Sequence, residues 1–76
     1  MEKEEESRVL AHLNPGESGE VFDVSDAPEH LKNMGFVSGT KVLSLQKSLF
    51  GDPTAFLVRG AVIALRRKDS DKIRLK

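Results

Sequence analysis

The sequence contains no cysteine, no tryptophan and no tyrosine. Without cysteine there are neither disulfides nor thiolate metal ligands, so a compact apolar core has to hold the fold, and a reducing compartment is expected. Four phenylalanines are the only aromatic residues, which leaves few of the stacking platforms that nucleic-acid readers use. Long apolar runs are missing too. The longest, residues 61–65 (Ala-Val-Ile-Ala-Leu), falls far short of the ~20 residues of a membrane helix. The opening Met1-Glu2-Lys3-Glu4-Glu5-Glu6 is acidic where a secretion signal is basic and then apolar. Neither membrane insertion nor secretion is expected.

With 76 residues the chain has room for one domain, and a domain of this size buries only ~60% of its unfolded surface. A large enclosed active site is therefore not expected. Net charge is formally zero, but its distribution is uneven. Residues 1–38 carry nine acids and three bases, and residues 39–76 carry three acids and nine bases. Such a split marks a basic recognition face unless the fold interleaves strands from the two halves and cancels it in space.

Residues 1–7 have like charges and no apolar periodicity, which predicts a disordered acidic tail ahead of one domain over residues 8–76. Val9, Leu10 and Leu13 offer apolar anchors before the Asn14-Pro15-Gly16 turn. Residues 19–24 (Gly-Glu-Val-Phe-Asp-Val) read as a strand. Residues 27–34 are the helical candidate, with Pro28 at the first helical position and Ser25 or Asp26 as cap. Leu31 and Met34 share its inner face and Gly35 ends it in a left-handed conformation. From Lys41 to Lys47 the pattern turns to period two, with Leu43 and Leu45 alternating against Ser44 and Gln46. Residues 55–58 and 62–66 form a hairpin about Gly60, Asp69-Ser70-Asp71 make one helical turn, and residues 72–76 close the sheet. The expected fold is mainly β: a small, strongly bent barrel of five to six short strands with one short helix inserted and no exposed edges. Its expected core is Leu13, Val21, Phe22, Val24, Leu31, Met34, Phe36, Val42, Leu43, Leu45, Phe56, Val58, Ile63, Leu65, Ile73 and Leu75.

Chemistry-bearing patterns are few. His12 and His30 stand too far apart in sequence for a metal-ligand spacing, and no nucleophile elbow or phosphate loop is present. No metal ligands are assigned and enzymatic activity is not expected. Asp52, between Gly51 and Pro53, is either a carboxylate in a cleft or a backbone acceptor in a turn. Arg66-Arg67-Lys68, with Arg59, either grips an acidic patch or phosphate, or ends a strand in solvent. Leu49-Phe50 is either an exposed partner-binding pair or, through Phe50, a plug in one end of the barrel. The resulting partner-binding set is Leu49, Phe50, Asp52, Arg59 and Arg66, expected to border one cleft.

Four stretches together resemble the FeoA family of bacterial ferrous iron uptake. They are residues 13–19 (Leu-Asn-Pro-Gly-Glu-Ser-Gly), residues 31–40 at the helix exit, Phe50-Gly51-Asp52-Pro53, and residues 59–66. The resemblance covers residues 8–76 and extends to the C-terminal domains of diphtheria-toxin-repressor-type metalloregulators. It implies an SH3-like barrel and a cytoplasmic, non-enzymatic module. That module would work through the cytoplasmic part of a ferrous iron transporter that carries a GTP-binding domain, and would require no cofactor. Asp69-Ser70-Asp71 departs from the family pattern, which has an acidic-alanine pair there. Two other readings compete: a metal-responsive domain that binds divalent ions weakly, and a minor nucleic-acid-binding module drawn from the basic second half.

Overall fold

The computed structural model describes residues 8–47 and 52–76. A 3₁₀ turn, Leu10–His12, leads into β1 (Ser18–Asp23), α1 (Glu29–Asn33), β2 (Lys41–Lys47), β3 (Thr54–Val58), β4 (Ala61–Leu65), α2 (Arg67–Ser70) and β5 (Arg74–Leu75). The strands form one antiparallel sheet in the order β4-β3-β2-β1-β5. Its concave side wraps one core: Leu10, Leu13, Val21, Ala27, Leu31, Phe36, Val42, Phe56, Val58, Leu65, Ile73 and Leu75 are all buried. Val24 and Ile63 pack partly buried against it. The expected tail over residues 1–7 lies outside the described residues.

Local chemistry explains most boundaries. α1 ends in a Schellman motif, with the Phe36 N–H donating to the Leu31 carbonyl and the Gly35 N–H to that of Lys32, both at 3.1 Å. This geometry requires the positive φ of Gly35, which is 111°. Its start departs from expectation. Pro28 occupies the N-cap, without a side-chain cap, while Asp23 Oδ1 accepts the Ser25 N–H at 2.9 Å and shapes the preceding turn. α2 forms although its sequence departs from the family pattern. Ser70 stands at a buried position, and its hydroxyl donates to the Arg67 carbonyl at 3.4 Å.

Four core assignments change. Phe22 is 54% exposed and Met34 40%. Successive side chains of a strand point to opposite faces, so burying Val21 turns its neighbour Phe22 outward. α1 spans only five residues, and Leu31 fills the core-facing position, leaving Met34 at the helix exit. In β2 the inner and outer faces are exchanged relative to the expected alternation. Val42 and Ser44 point inward, opposite Val58 and Phe56, and Leu43 and Leu45 are only half-buried. The Val42 and Phe56 side chains carry the burial, and Ser44 goes in with them because the pleat leaves no choice. Its hydroxyl is completely buried and has no hydrogen-bond partner among the described residues.

Candidate functional site

β3 and β4 are joined by Arg59-Gly60, with Val58 opposite Ala61 as the closing pair. Both turn residues have positive φ, 52° for Arg59 and 83° for Gly60, the signature of a type I′ turn, whose twist suits a hairpin. Asparagine or glycine is the usual first residue of such a turn. Arginine there holds a conformation that costs about 1 kcal/mol or more. The Arg59 stem lies against α1's exit, since a Cβ built on Gly35 would sit 3.2 Å from Arg59 Cδ and 3.2 Å from Val58 Cγ1. Beside it, Ser38, Gly39, Thr40, Lys41 and Arg59 line an open cleft of about 550 Å³. Two cations and two hydroxyls there suit a carboxylate or phosphate group.

The opposite end of the hairpin, where Thr54 pairs with Leu65, carries Asp52, Arg66 and α2. Asp52 Oδ1 accepts the Arg67 N–H at 3.0 Å. Asp52 is thus a backbone acceptor for the start of α2. Arg66 precedes α2 and is exposed, and Arg67 Nε lies 3.8 Å from Asp71 Oδ1. At ~3.3 Å per residue of strand, Arg59 and Arg66 stand roughly 20 Å apart. The structure brings Arg66 and Asp52 together and leaves Arg59 at the far end, which corrects the expectation of one shared cleft. Leu49 and Phe50 lie outside the described residues.

Between these ends runs a feature that the sequence reading did not single out. The outer face of the sheet carries a cross-strand row of Leu43, Leu57 and Val62. Leu43 and Leu57 are half-buried, and Val62 is 66% exposed. Ala55 and Ala64 form the next cross-strand pair on that face. The available signal was the unbroken apolar run of β4, which offers apolar side chains on both faces where a half-buried strand would alternate. Among the described residues β4 pairs with β3 alone, so it is an edge, contrary to the expectation of a sheet without edges.

His12 and His30 are both exposed, on separate elements. Among the described residues no three His, Asp or Glu side chains cluster to hold a metal ion, and no helix is long and apolar enough to cross a membrane. Acidity is perturbed at Asp23. The Ser25 backbone N–H holds its carboxyl below the usual aspartate range, helped by the Ser25 side chain, opposed by desolvation and, more weakly still, aided by the Arg74 and Lys32 charges.

Strand order, short helices and core together define a small, mainly β module of the SH3-like class, with basic ends to its β3–β4 hairpin. Solved structures bear out the fold. The FeoA-like protein from Clostridium acetobutylicum superposes with a TM-score of 0.81 at 25% identity, over 90% of this chain and 83% of that one. FeoA from Stenotrophomonas maltophilia, solved with zinc, gives 0.80 at 25% identity over 91% and 89%. It is described as a unique prokaryotic SH3 domain protein and a candidate ferrous iron transport activating factor. A manganese-dependent transcriptional repressor shares the fold alone, with a TM-score of 0.77 at 19% identity over 90% of this chain and 40% of that one. No curated protein sequence matches. The FeoA domain model matches residues 8–76, and the chain belongs to the FeoA family, which is linked to ferrous iron transport.

Proposed function

We propose that this protein is a cytoplasmic accessory module of ferrous iron uptake that acts by docking on the cytoplasmic part of the ferrous iron transporter, and that it is not an enzyme. The observation that carries this reading is the family match over residues 8–76. The arrangement of charge supports a docking role. Arg59, Arg66 and Lys68 are exposed and form no ion pair among the described residues, which leaves three cations free for an acidic partner. Titration of the transporter's soluble cytoplasmic portion with the folded protein tests the proposal. Saturable binding in the micromolar range is expected, and no binding at high micromolar concentration overturns it.

A second reading, metal-responsive regulation, draws on the zinc complex of the Stenotrophomonas relative. It requires divalent ions to shift the amide signals of His12, His30 or Asp52. Unmoved spectra at millimolar metal remove it.

A further inference from the structure

Among the described residues β4 is an uncovered strand edge, and one of an unusual kind. Native edges are blunted by charge, proline, bulges or shortness, whereas β4 runs five residues, Ala-Val-Ile-Ala-Leu, without any charge or proline, and its ladder to β3 has no register break. The hydrogen-bond alternation shows which groups are open. A two-residue turn closes on the hydrogen-bonded pair Val58 and Ala61, and antiparallel pairs then alternate. Ile63 and Leu65 therefore bond to β3, while Val62 and Ala64 turn their N–H and C=O groups away from the sheet. The same alternation carried across β3 makes Ser44 bond away from β3. It does: Ser44 N–H donates to the Glu17 carbonyl at 2.9 Å and its carbonyl accepts the Gly16 N–H at 2.8 Å.

The geometry points to strand addition at β4 by an extended segment of a partner protein, apolar in its centre and acidic at both ends. The inference rests on reading the protein as a partner-binding module and specifies what it binds. Both faces of β4 are apolar, so a strand beside it gains contacts from each of its alternating side chains. Arg59 flanks one end of the edge, and Arg66 and Lys68 the other. Charge also disfavours a second copy as occupant. Antiparallel self-pairing centred on β4 would bring the Arg59 end of one copy to the Arg66 and Lys68 end of the other, and in-register parallel pairing would bring like ends together, so both arrangements gather like charges and are disfavoured. A partner segment with acidic ends meets the opposite situation.

The test uses the full chain, labelled for amide exchange, and two synthetic ten-residue β-prone peptides with the same apolar centre, one with acidic ends and one with lysine ends. In the free protein, Val62 and Ala64 amides should exchange quickly and those of Ile63 and Leu65 slowly. The acidic-ended peptide should slow exchange at Val62 and Ala64 at least tenfold, and the lysine-ended peptide should leave it unchanged. Arg59→Glu with Arg66→Glu should weaken the acidic peptide at least tenfold. Val62→Lys, an exposed change that keeps the strand, should weaken it as well. If the acidic peptide leaves both amides unprotected at millimolar concentration, the inference is wrong. Protection of both amides in the free chain also overturns it, because the edge would then already be covered by a second copy or by the chain itself. A transporter portion that binds without protecting Val62 and Ala64 refutes the edge while sustaining the docking role. Peptide binding at the edge with no transporter binding sustains the edge and refutes that role.

Discussion

Substituting alanine at Gly35 should damage the protein far more than the same change at Gly60. Both glycines have positive φ, 111° and 83°, so each substitution carries a backbone cost, about 1–2 kcal/mol in this region. At Gly60 nothing lies within 4 Å of the added Cβ, and the backbone cost is the whole effect. At Gly35 the Cβ would meet Val58 Cγ1 and Arg59 Cδ, each at 3.2 Å. Arg59 can swing away. Val58 cannot, since it is fully buried beneath the sheet, and overpacking a rigid neighbour adds ~1–3 kcal/mol. The expected totals are about 1.5 kcal/mol for Gly60→Ala and about 3.5 kcal/mol for Gly35→Ala. A domain of this length has roughly 4–11 kcal/mol of stability to lose. At an m value of ~1 kcal/mol/M, the urea midpoints should fall by about 1.5 M and 3.5 M respectively. Equal losses for the two variants would refute the argument that α1's exit is packed directly on the β3–β4 hairpin.

Replacing Arg59 with asparagine, which suits the first position of a type I′ turn, should raise stability by about 0.5 kcal/mol after allowing for the lost stem contact, or ~2–4 °C in thermal midpoint. A loss of stability would show that the arginine is there for packing, not for a partner. Ser44→Ala removes a buried hydroxyl that has no partner among the described residues, and urea unfolding should show the variant unchanged or up to ~1 kcal/mol more stable. A marked loss would reveal a hydrogen bond to Ser44 in solution. For Asp23, a carboxyl held in the fold below its ordinary range by the Ser25 N–H means stabilisation that is fully present above the unfolded value of about 3.9 and lost as pH falls through the lower folded value. An NMR titration should place the Asp23 midpoint below that unfolded value, and Asp23→Asn should remove this acid-side component of stability. An unshifted midpoint would mean that the Ser25 contact does not persist in water.

The fold was readable wherever a residue type has one local solution. Asn14-Pro15-Gly16, Gly35 after a short helix, and Gly60 between two apolar runs each mark a turn, and the strands had to fill the spaces between them. Face assignment was less legible. In β2, leucines at 43 and 45 suggested the inner face, yet pairing put Val42 and Ser44 there, because register across three strands outweighs the hydropathy of any one. The same limit hid the exposure of Phe22, whose neighbour Val21 pairs with Leu75. Of the candidate site, Asp52 and Arg66 proved to be neighbours at one end of the hairpin. Arg59 did not join them, because sequence proximity to a turn does not reveal at which end of the ladder a residue emerges. The β4 edge was invisible for another reason: an apolar run looks alike whether a second strand covers it or not.

The central claim, that this FeoA-family chain works by docking on the ferrous iron transporter, is tested most directly by following the amide spectrum of the labelled protein while the transporter's soluble cytoplasmic portion is added. The account predicts saturable shifts in the micromolar range, concentrated on β4 and on Arg59 and Arg66 at its two ends, and weakened as added salt screens the exposed charges. Spectra that stay unmoved at high micromolar concentration of a folded transporter portion would contradict it.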